Sequence, residues 1–168
     1  MFDWSSLLPP RNNDYRGHPL AFYFMVLIAL RNTFRGSVHY FAPDGGSATI
    51  AGIPLETYAE GAVQTIITFH GAMGVGHLVE AALVWLVIFR YRALIPLAYV
   101  CLIATEILGL ALVAVKPLPV LPPGHIMLWV LTPLSVVFFL LSVRKPKRAL
   151  APDAPQTSPT AKIGEPGS

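Results

Sequence analysis

The sequence predicts an all-α polytopic membrane protein, a bundle of four transmembrane helices with both termini cytoplasmic. Three observations carry that expectation. Of the 168 residues, 54% are hydrophobic and only 12% charged, about half the roughly 25% of an ordinary soluble domain. The apolar residues gather in four runs, each long enough for the ~30 Å hydrocarbon layer, which takes about 20 helical residues. The charged residues gather mainly at the ends of those runs. So few charges cannot cover a soluble domain of this length. The net charge of +3 therefore reads as a topology signal and not as a nucleic-acid surface.

Residues 1–18 form a polar cytoplasmic arm containing Pro9, Pro10, Arg11, Asn12, Asn13, Asp14 and Arg16. The arm lacks the basic, apolar, small-residue order of a cleaved signal peptide. Its Phe2, Trp4, Leu7 and Leu8 suit the headgroup level, which aromatic rings favour. The transmembrane domain covers 19–143. Its first span is 19–41, and Pro19 suits a first helical turn, where a missing N–H costs nothing. Arg31, Arg35 and His39 recur every four residues, so they share one stripe of that helix, with Asn32 beside them.

Residues 42–61 form an outer loop. Pro43-Asp44-Gly45-Gly46 is turn chemistry: glycine supplies positive φ and aspartate bonds nearby backbone. The stretch from Ser47 to Leu55 is apolar enough to lie on the bilayer surface or to fold over the mouth of the bundle. The second span is 62–89, closed by Arg90-Tyr91-Arg92. That turn is so short that the third span, 93–115, is expected to return antiparallel beside the second. The third span carries Pro96, Cys101, Thr105 and Glu106. A link rich in proline (Pro117, Pro119, Pro122, Pro123) leads to the fourth span, 125–143. Pro133 removes one backbone bond there. Residues 144–168 are basic and then rich in Pro, Ser, Thr and Ala, a composition that builds no core.

Basic residues set the orientation. With four spans, Arg11, Arg16, Arg90, Arg92, Arg144, Lys145, Lys147 and Arg148 fall on one side and Lys116 on the other. The first side is the cytoplasm, and a bacterial inner membrane is the expected location. The single cysteine, Cys101, excludes an intrachain disulfide, a CxxC redox pair and a thiolate metal cage.

Polar residues inside the spans carry the functional reading. A charge at the bilayer centre costs about 2.5–3.5 kcal/mol even on insertion scales, so such groups face the interior and find partners. At about 1.5 Å of rise per residue, Arg31, His70 and Glu106 all fall roughly 12–15 Å below the outer surface, on three helices. Arg31 or Arg35 is expected to pair with Glu106, because the guanidinium fork grips a carboxylate with two bonds. Glu80 is expected to reach Arg90 or Arg92. His70, Gly74 and His77 share a stripe of the second span. The candidate ligand-binding residues are Arg31, Arg35, His70, His77 and Glu106.

Three readings of these residues stand. In one, the polar groups lock helix register. In the second, the pocket binds a lipid-like or quinone-like molecule, with His70 exchanging a proton and the arginines holding an anionic or carbonyl oxygen. In the third, histidines ligate haem or a metal. Against the third, His70 and His77 lie on one helix, whereas a bis-His haem needs ligands from opposite sides. The paired Glu-x-x-His motif of a di-iron bundle is also missing. His39 and His125 mark the outer rim. The leading expectation is a small membrane protein with a buried Arg/His/Glu pocket. It acts as an accessory subunit, beside a membrane-protein partner or copies of itself, or binds a lipophilic small molecule. The alternative is a membrane oxidoreductase or electron-transfer protein using quinone, haem or a metal.

The order of parts also resembles the DoxX-like group of small four-span membrane proteins. The matching features are an arginine-bearing first span, Gly52-Ile53-Pro54 in the outer loop, a glycine-bearing second span, and the turn Arg90-Tyr91-Arg92-Ala93-Leu94. They extend over roughly residues 20–115. Where that group has an acidic residue and a glycine pair early in the second span, this chain has His70-Gly71 and His77. The resemblance therefore implies the architecture and transfers no functional residue.

Overall fold

The structure is a computed structural model and describes residues 8–118 and 120–144. Phe2, Trp4, Leu7, Pro119 and the tail from Lys145 onward lie outside the described residues. Within them the secondary structure is all helical. The helices are α1 (Pro19–Phe41), α2 (Glu60–Arg90), α3 (Ile95–Val115) and α4 (Pro123–Val143). Proline opens three of them within the first turn, at Pro19, Pro96 and Pro123, where an N–H has no intrahelical acceptor anyway. Pro133 lies inside a continuous α4.

Three helices are long and apolar enough to cross a membrane: α2, α3 together with the 3-10 turn Arg92–Leu94 before it, and α4. α1 has the length, with 23 residues, but Arg31, Asn32, Arg35 and His39 lower its hydropathy below that mark. Those residues turn inward. Asn32 and His39 are buried, and Arg31 and Arg35 are half-buried. The exposed face of α1 is instead Leu20, Tyr23, Leu27, Leu30, Phe34 and Phe41. The helix is polar toward its neighbours and apolar toward its surroundings, the reverse of a helix on a soluble protein.

α1 packs most extensively along α2, and α3 along α4. Where α1 and α2 cross, Gly36 and Gly74 bring the two backbones together. A Cβ on Gly74 would stand 2.8 Å from the Tyr40 nitrogen and 3.0 Å from the Gly36 oxygen. A Cβ on Gly36 would stand 2.9 Å from Leu78 Cγ. Close approach through small residues is a usual route to helix packing in lipid. Trp85 adds a side-chain tie by donating its indole N–H to the Thr33 hydroxyl at 3.0 Å.

α2 and α3 hardly touch, although their joining turn is short. This corrects the expectation that the third span lies beside the second. Tyr91 and the 3-10 turn redirect the chain, so that α3 settles on α4. Buried Met25 and Ile28 of α1 back the groove left between α2 and α3.

An apolar core fills the end of the molecule that holds this turn. Phe24 stacks on Phe138 at 4.1 Å between ring centres, and Ala21, Met25, Ile28, Ala29, Ile88, Ile95 and Tyr99 surround it. The Tyr99 hydroxyl, buried with the core, donates to the Ala21 carbonyl at 2.7 Å. The N-terminal arm straps this end. The Asn12 N–H donates to the Arg90 carbonyl at 3.1 Å, and the Asn13 side-chain amide to the Phe89 carbonyl at 3.2 Å. These bonds satisfy carbonyls that the last turn of a helix leaves without partners. The Tyr91 hydroxyl donates to Pro9 at 2.7 Å, and the His18 N–H to Leu141 of α4 at 3.0 Å.

At the opposite end, the turn at Gly45 and Gly46 folds against the α1–α2 pair. Gly45 and Gly46 take φ of 59° and 69°, and Gly45 sits against the Ile67 carbonyl and His70. Asp44 organises the turn. Its carboxylate accepts from the Gly46, Ala48 and Thr49 N–H groups and the Thr49 hydroxyl at 2.9–3.1 Å. These donors favour the ionised form and hold the carboxyl down to about 2 from its ordinary 3.8.

Two outcomes follow. Gly74→Ala presses a methyl against backbone atoms that cannot swing away, an overpacking that costs about 1–3 kcal/mol. It should lower the melting temperature of the detergent-solubilised protein. Gly76→Ala meets open space and should leave that temperature unchanged or raise it; equal melting of the two variants would disprove the crossing. Because the Asp44 carboxyl lies below its unfolded value, its contribution is fully present above about pH 4 and is lost as pH falls toward 2. The protection factors of amides 45–51, measured against their intrinsic rates, should therefore fall across that window, and Asp44→Asn should show the low protection at neutral pH.

Candidate functional site

Four helices each contribute polar side chains to one cavity of about 220 Å³. α1 supplies Arg31, Asn32 and Arg35, one helical turn apart or less. α2 supplies His77 and Glu80, which share a face at three-residue spacing. α3 supplies Thr105 and Glu106, and α4 supplies His125 from its first turn. Met73, Leu102, Leu112 and Leu128 make up much of the apolar wall. The volume lies below the ~300–1,000 Å³ of sites that enclose drug-sized molecules, so the cavity is the size of a head group and not of a macrocycle.

The hydrogen bonds inside it are incomplete. Arg31 Nη1 donates to Asn32 Oδ1 at 3.2 Å. Arg35 Nε donates to His39 Nε2 at 3.4 Å. His39 can accept there because its Nδ1 carries the proton donated to the Gly45 carbonyl at 2.7 Å. The Ser135 hydroxyl of α4 donates to Glu106 Oε1 at 3.1 Å. The second carboxyl oxygen, Glu106 Oε2, is buried with no partner among the described residues, and so are His77 Nε2 and His125 Nε2. Glu80 Oε2 stands 3.7 Å from His77 Nδ1, too far for a hydrogen bond.

The structure thus brings Arg31, Arg35, His77 and Glu106 to one cavity and leaves His70 out. His70 packs on His39, with ring centres 5.5 Å apart, and donates its Nδ1 proton to the Ile66 carbonyl at 3.0 Å. It lines a separate cavity of about 320 Å³ under the outer loop and the proline-rich link, with Ile53, Tyr58, Phe69, Leu118 and Val120. The Gly36–Gly74 crossing explains the displacement: it sets His70 beside the outer end of α1, and His77 takes the level of the arginines. His39 lies between the two, 6.3 Å from the His77 ring.

The expected pairing of Arg31 or Arg35 with Glu106 is not made. Neither arginine comes within ion-pair distance of a described carboxylate. Glu80 turns toward His77 and away from Arg90 and Arg92, whose Nε atoms bond Tyr91 and the Ile88 carbonyl. Sequence reasoning assigned His125 to the rim and Glu80 to the inner surface, and both line the cavity. For Glu80, the signal that would have found it is the pair of glycines, one on α1 and one on α2, that marks the crossing; nothing in that pair locates His125 of α4. Among the described residues, no three His, Cys, Asp or Glu side chains converge as a metal ion requires.

Chemically, the cavity offers fixed donors on one wall and groups that donate or accept on the others. Arginine only donates, whereas a carboxyl or an imidazole serves in either sense according to its proton. Comparison with protein-family models, with curated proteins and with solved structures finds no match to this chain.

Proposed function

We propose that the protein is a four-span integral membrane protein that binds a lipophilic small molecule by its polar head, in the cavity lined by Arg31, Arg35, His77, Glu80, Glu106 and His125. One observation carries this reading. Three buried polar atoms without partners among the described residues, His77 Nε2, Glu106 Oε2 and His125 Nε2, line the same cavity as two arginines that reach no described carboxylate. Each unsatisfied buried group costs about 1–3 kcal/mol. Orphaned atoms gathered in a cavity with an apolar wall have the character of a preformed small-molecule site.

A purely structural lock would satisfy these groups by pairing them with each other. Here the arginines spend their described bonds on Asn32 and His39, and Glu106 takes only Ser135. A ligand head with oxygens on two edges fits better. One oxygen accepts from a guanidinium, and the other exchanges a hydrogen bond or a proton with Glu106 or a histidine. A quinone-type ring has that pattern. The DoxX-like order of parts is in keeping with the four-span architecture and adds nothing about the ligand.

The inside-out character of α1 supports its place as a fourth span. Its charges face the cavity, as intramembrane charges normally do. The strap, the α2–α3 turn and the end of α4 gather at one end, which collects Arg11, Arg16, Arg90, Arg92 and Arg144. The other end has Lys116. The positive-inside rule supports a cytoplasmic position for the arginine-rich end, and with it our reading of a protein with both termini on the cytoplasmic side of a bacterial inner membrane.

Native mass spectrometry and an absorbance scan of protein extracted gently from its own membrane test the binding. A non-covalent lipophilic molecule should accompany the chain. Arg31→Gln and Glu106→Gln should each retain at least about tenfold less of it, while the exposed Glu56→Gln retains it fully. A chain that emerges bare, or bound only to other proteins, would sink the reading. For topology, a cysteine at Glu56 in a Cys101→Ala background should react with an impermeant thiol reagent on intact cells, and one at Leu8 should not. The opposite labelling would invert the orientation.

A further inference from the structure

The polar cavity has a neighbour at Glu80. Glu80 and Leu102 also line a second cavity of about 210 Å³ between α2 and α3. Apart from Glu80 its lining is apolar. Met25 and Ile28 form the back, Leu83 and Val87 stand on α2, and Ala98 and Cys101 stand on α3. The groove exists because α2 and α3 hardly touch. It opens outward, since Leu83 is 59% exposed and Cys101 is exposed as well. In water such a cleft would expose apolar surface at a cost of about 25 cal/mol per Å². Beside lipid it is an ordinary surface for hydrocarbon.

We propose that this groove holds the hydrocarbon chain of the same ligand, which is therefore a neutral single-chain lipid that enters sideways from the bilayer between α2 and α3. The proposal rests on the reading of the polar cavity as a head-group site. Adjacency is the first argument: Glu80 and Leu102 line both cavities, so a head among the arginines has an apolar groove next to it, beside Glu80. Size is the second. Either cavity alone is small, and joined they reach the ~300–1,000 Å³ of small-molecule sites. Charge is the third. Two guanidinium groups and two carboxyl groups balance formally in the cavity. An anionic head would have to pass and then face Glu80 at the throat, and a cationic head would face both arginines. A neutral head with hydrogen-bonding oxygens meets neither penalty. The groove takes the part of the chain nearest the head, and the remainder lies among the lipids.

The test uses the full chain in detergent and two probes. One is a fully substituted benzoquinone carrying a decyl chain. The other is the same ring with a methyl in place of the chain. Full substitution keeps either ring from adding to the Cys101 thiol. The decyl probe should bind the unmodified protein and bind Ala98→Phe at least tenfold more weakly, while the methyl probe should bind both proteins equally. Equal binding of the decyl probe to both proteins would overturn the groove and leave the cavity reading intact. Failure of both probes on the unmodified protein would remove the two together. A second measurement needs no variant. Alkylation of Cys101 by N-ethylmaleimide should slow several-fold under saturating decyl probe and not under the methyl probe, and an unchanged rate would overturn the groove. Decanoate at the same concentration should give no protection, and protection equal to that of the decyl probe would overturn the neutral head.

Discussion

The contact of the α1 and α2 backbones at Gly36 and Gly74 fixes where everything polar in this molecule can go. With no side chain on either residue, the helices approach until Cβ atoms would no longer fit. Their antiparallel register is then set to within a residue. His39 falls beside His70 and His77, and Arg31 and Arg35 fall on the cavity shared with His77 and Glu80. The outer loop depends on the same contact, because Gly45 and Gly46 pack on His39 and on the α2 carbonyl of Ile67. Moving the crossing by one turn would shift the arginines by about 5.4 Å along α2 and dissolve the cavity.

The second constraint is that the apolar core and the polar cavity sit toward opposite ends of the molecule. At the end held by the N-terminal strap, Phe24, Phe138, Tyr99 and their neighbours form a continuous core, and the strap caps the last carbonyls of α2. Toward the other end the same helices present arginine, histidine and glutamate to each other and do not close. Rigidity at one end lets the other keep a cavity with orphaned polar atoms. Preorganised sites need this support, because a loosely held wall would collapse and pair its own groups.

Much of the fold was legible in the sequence, for plain reasons. Low charge and long apolar runs dictate helices whose backbone bonds are satisfied internally, and the all-helical class with three long apolar helices is what the structure shows. α1 was harder to read by composition alone. Its polar residues lower its hydropathy, and only their four-residue spacing reveals that they share an inward stripe. The stripe argument put Arg31 and Arg35 on one face of the helix, and both line one cavity. His70 was misplaced because depth was counted from the ends of helices of unequal length, 23 residues in α1 and 31 in α2. Counting from the ends assumes flush ends, and the glycine crossing shows otherwise. The Arg–Glu106 pair failed for a different reason. Sequence gives the presence of opposite charges and not the rotation of α3, which turns Glu106 to Ser135 of α4.

The separation of α2 from α3 ties these points together. A three-residue 3-10 turn between long helices ordinarily yields an antiparallel hairpin in close contact. This chain instead gives α2 to α1 through the glycine crossing and α3 to α4 through the Ser135–Glu106 bond and the packing around it. Two pairs that meet mainly through α1 and α4 leave the α2–α3 side open. Apolar Met25 and Ile28 back that opening, so it presents hydrocarbon to hydrocarbon and costs nothing in lipid. On the proposed reading, a ligand reaches the orphaned atoms from this side without crossing water. Pairing the helices as sequence adjacency suggests would close that route and leave the polar groups sealed among themselves, at a cost that each unsatisfied atom would carry permanently.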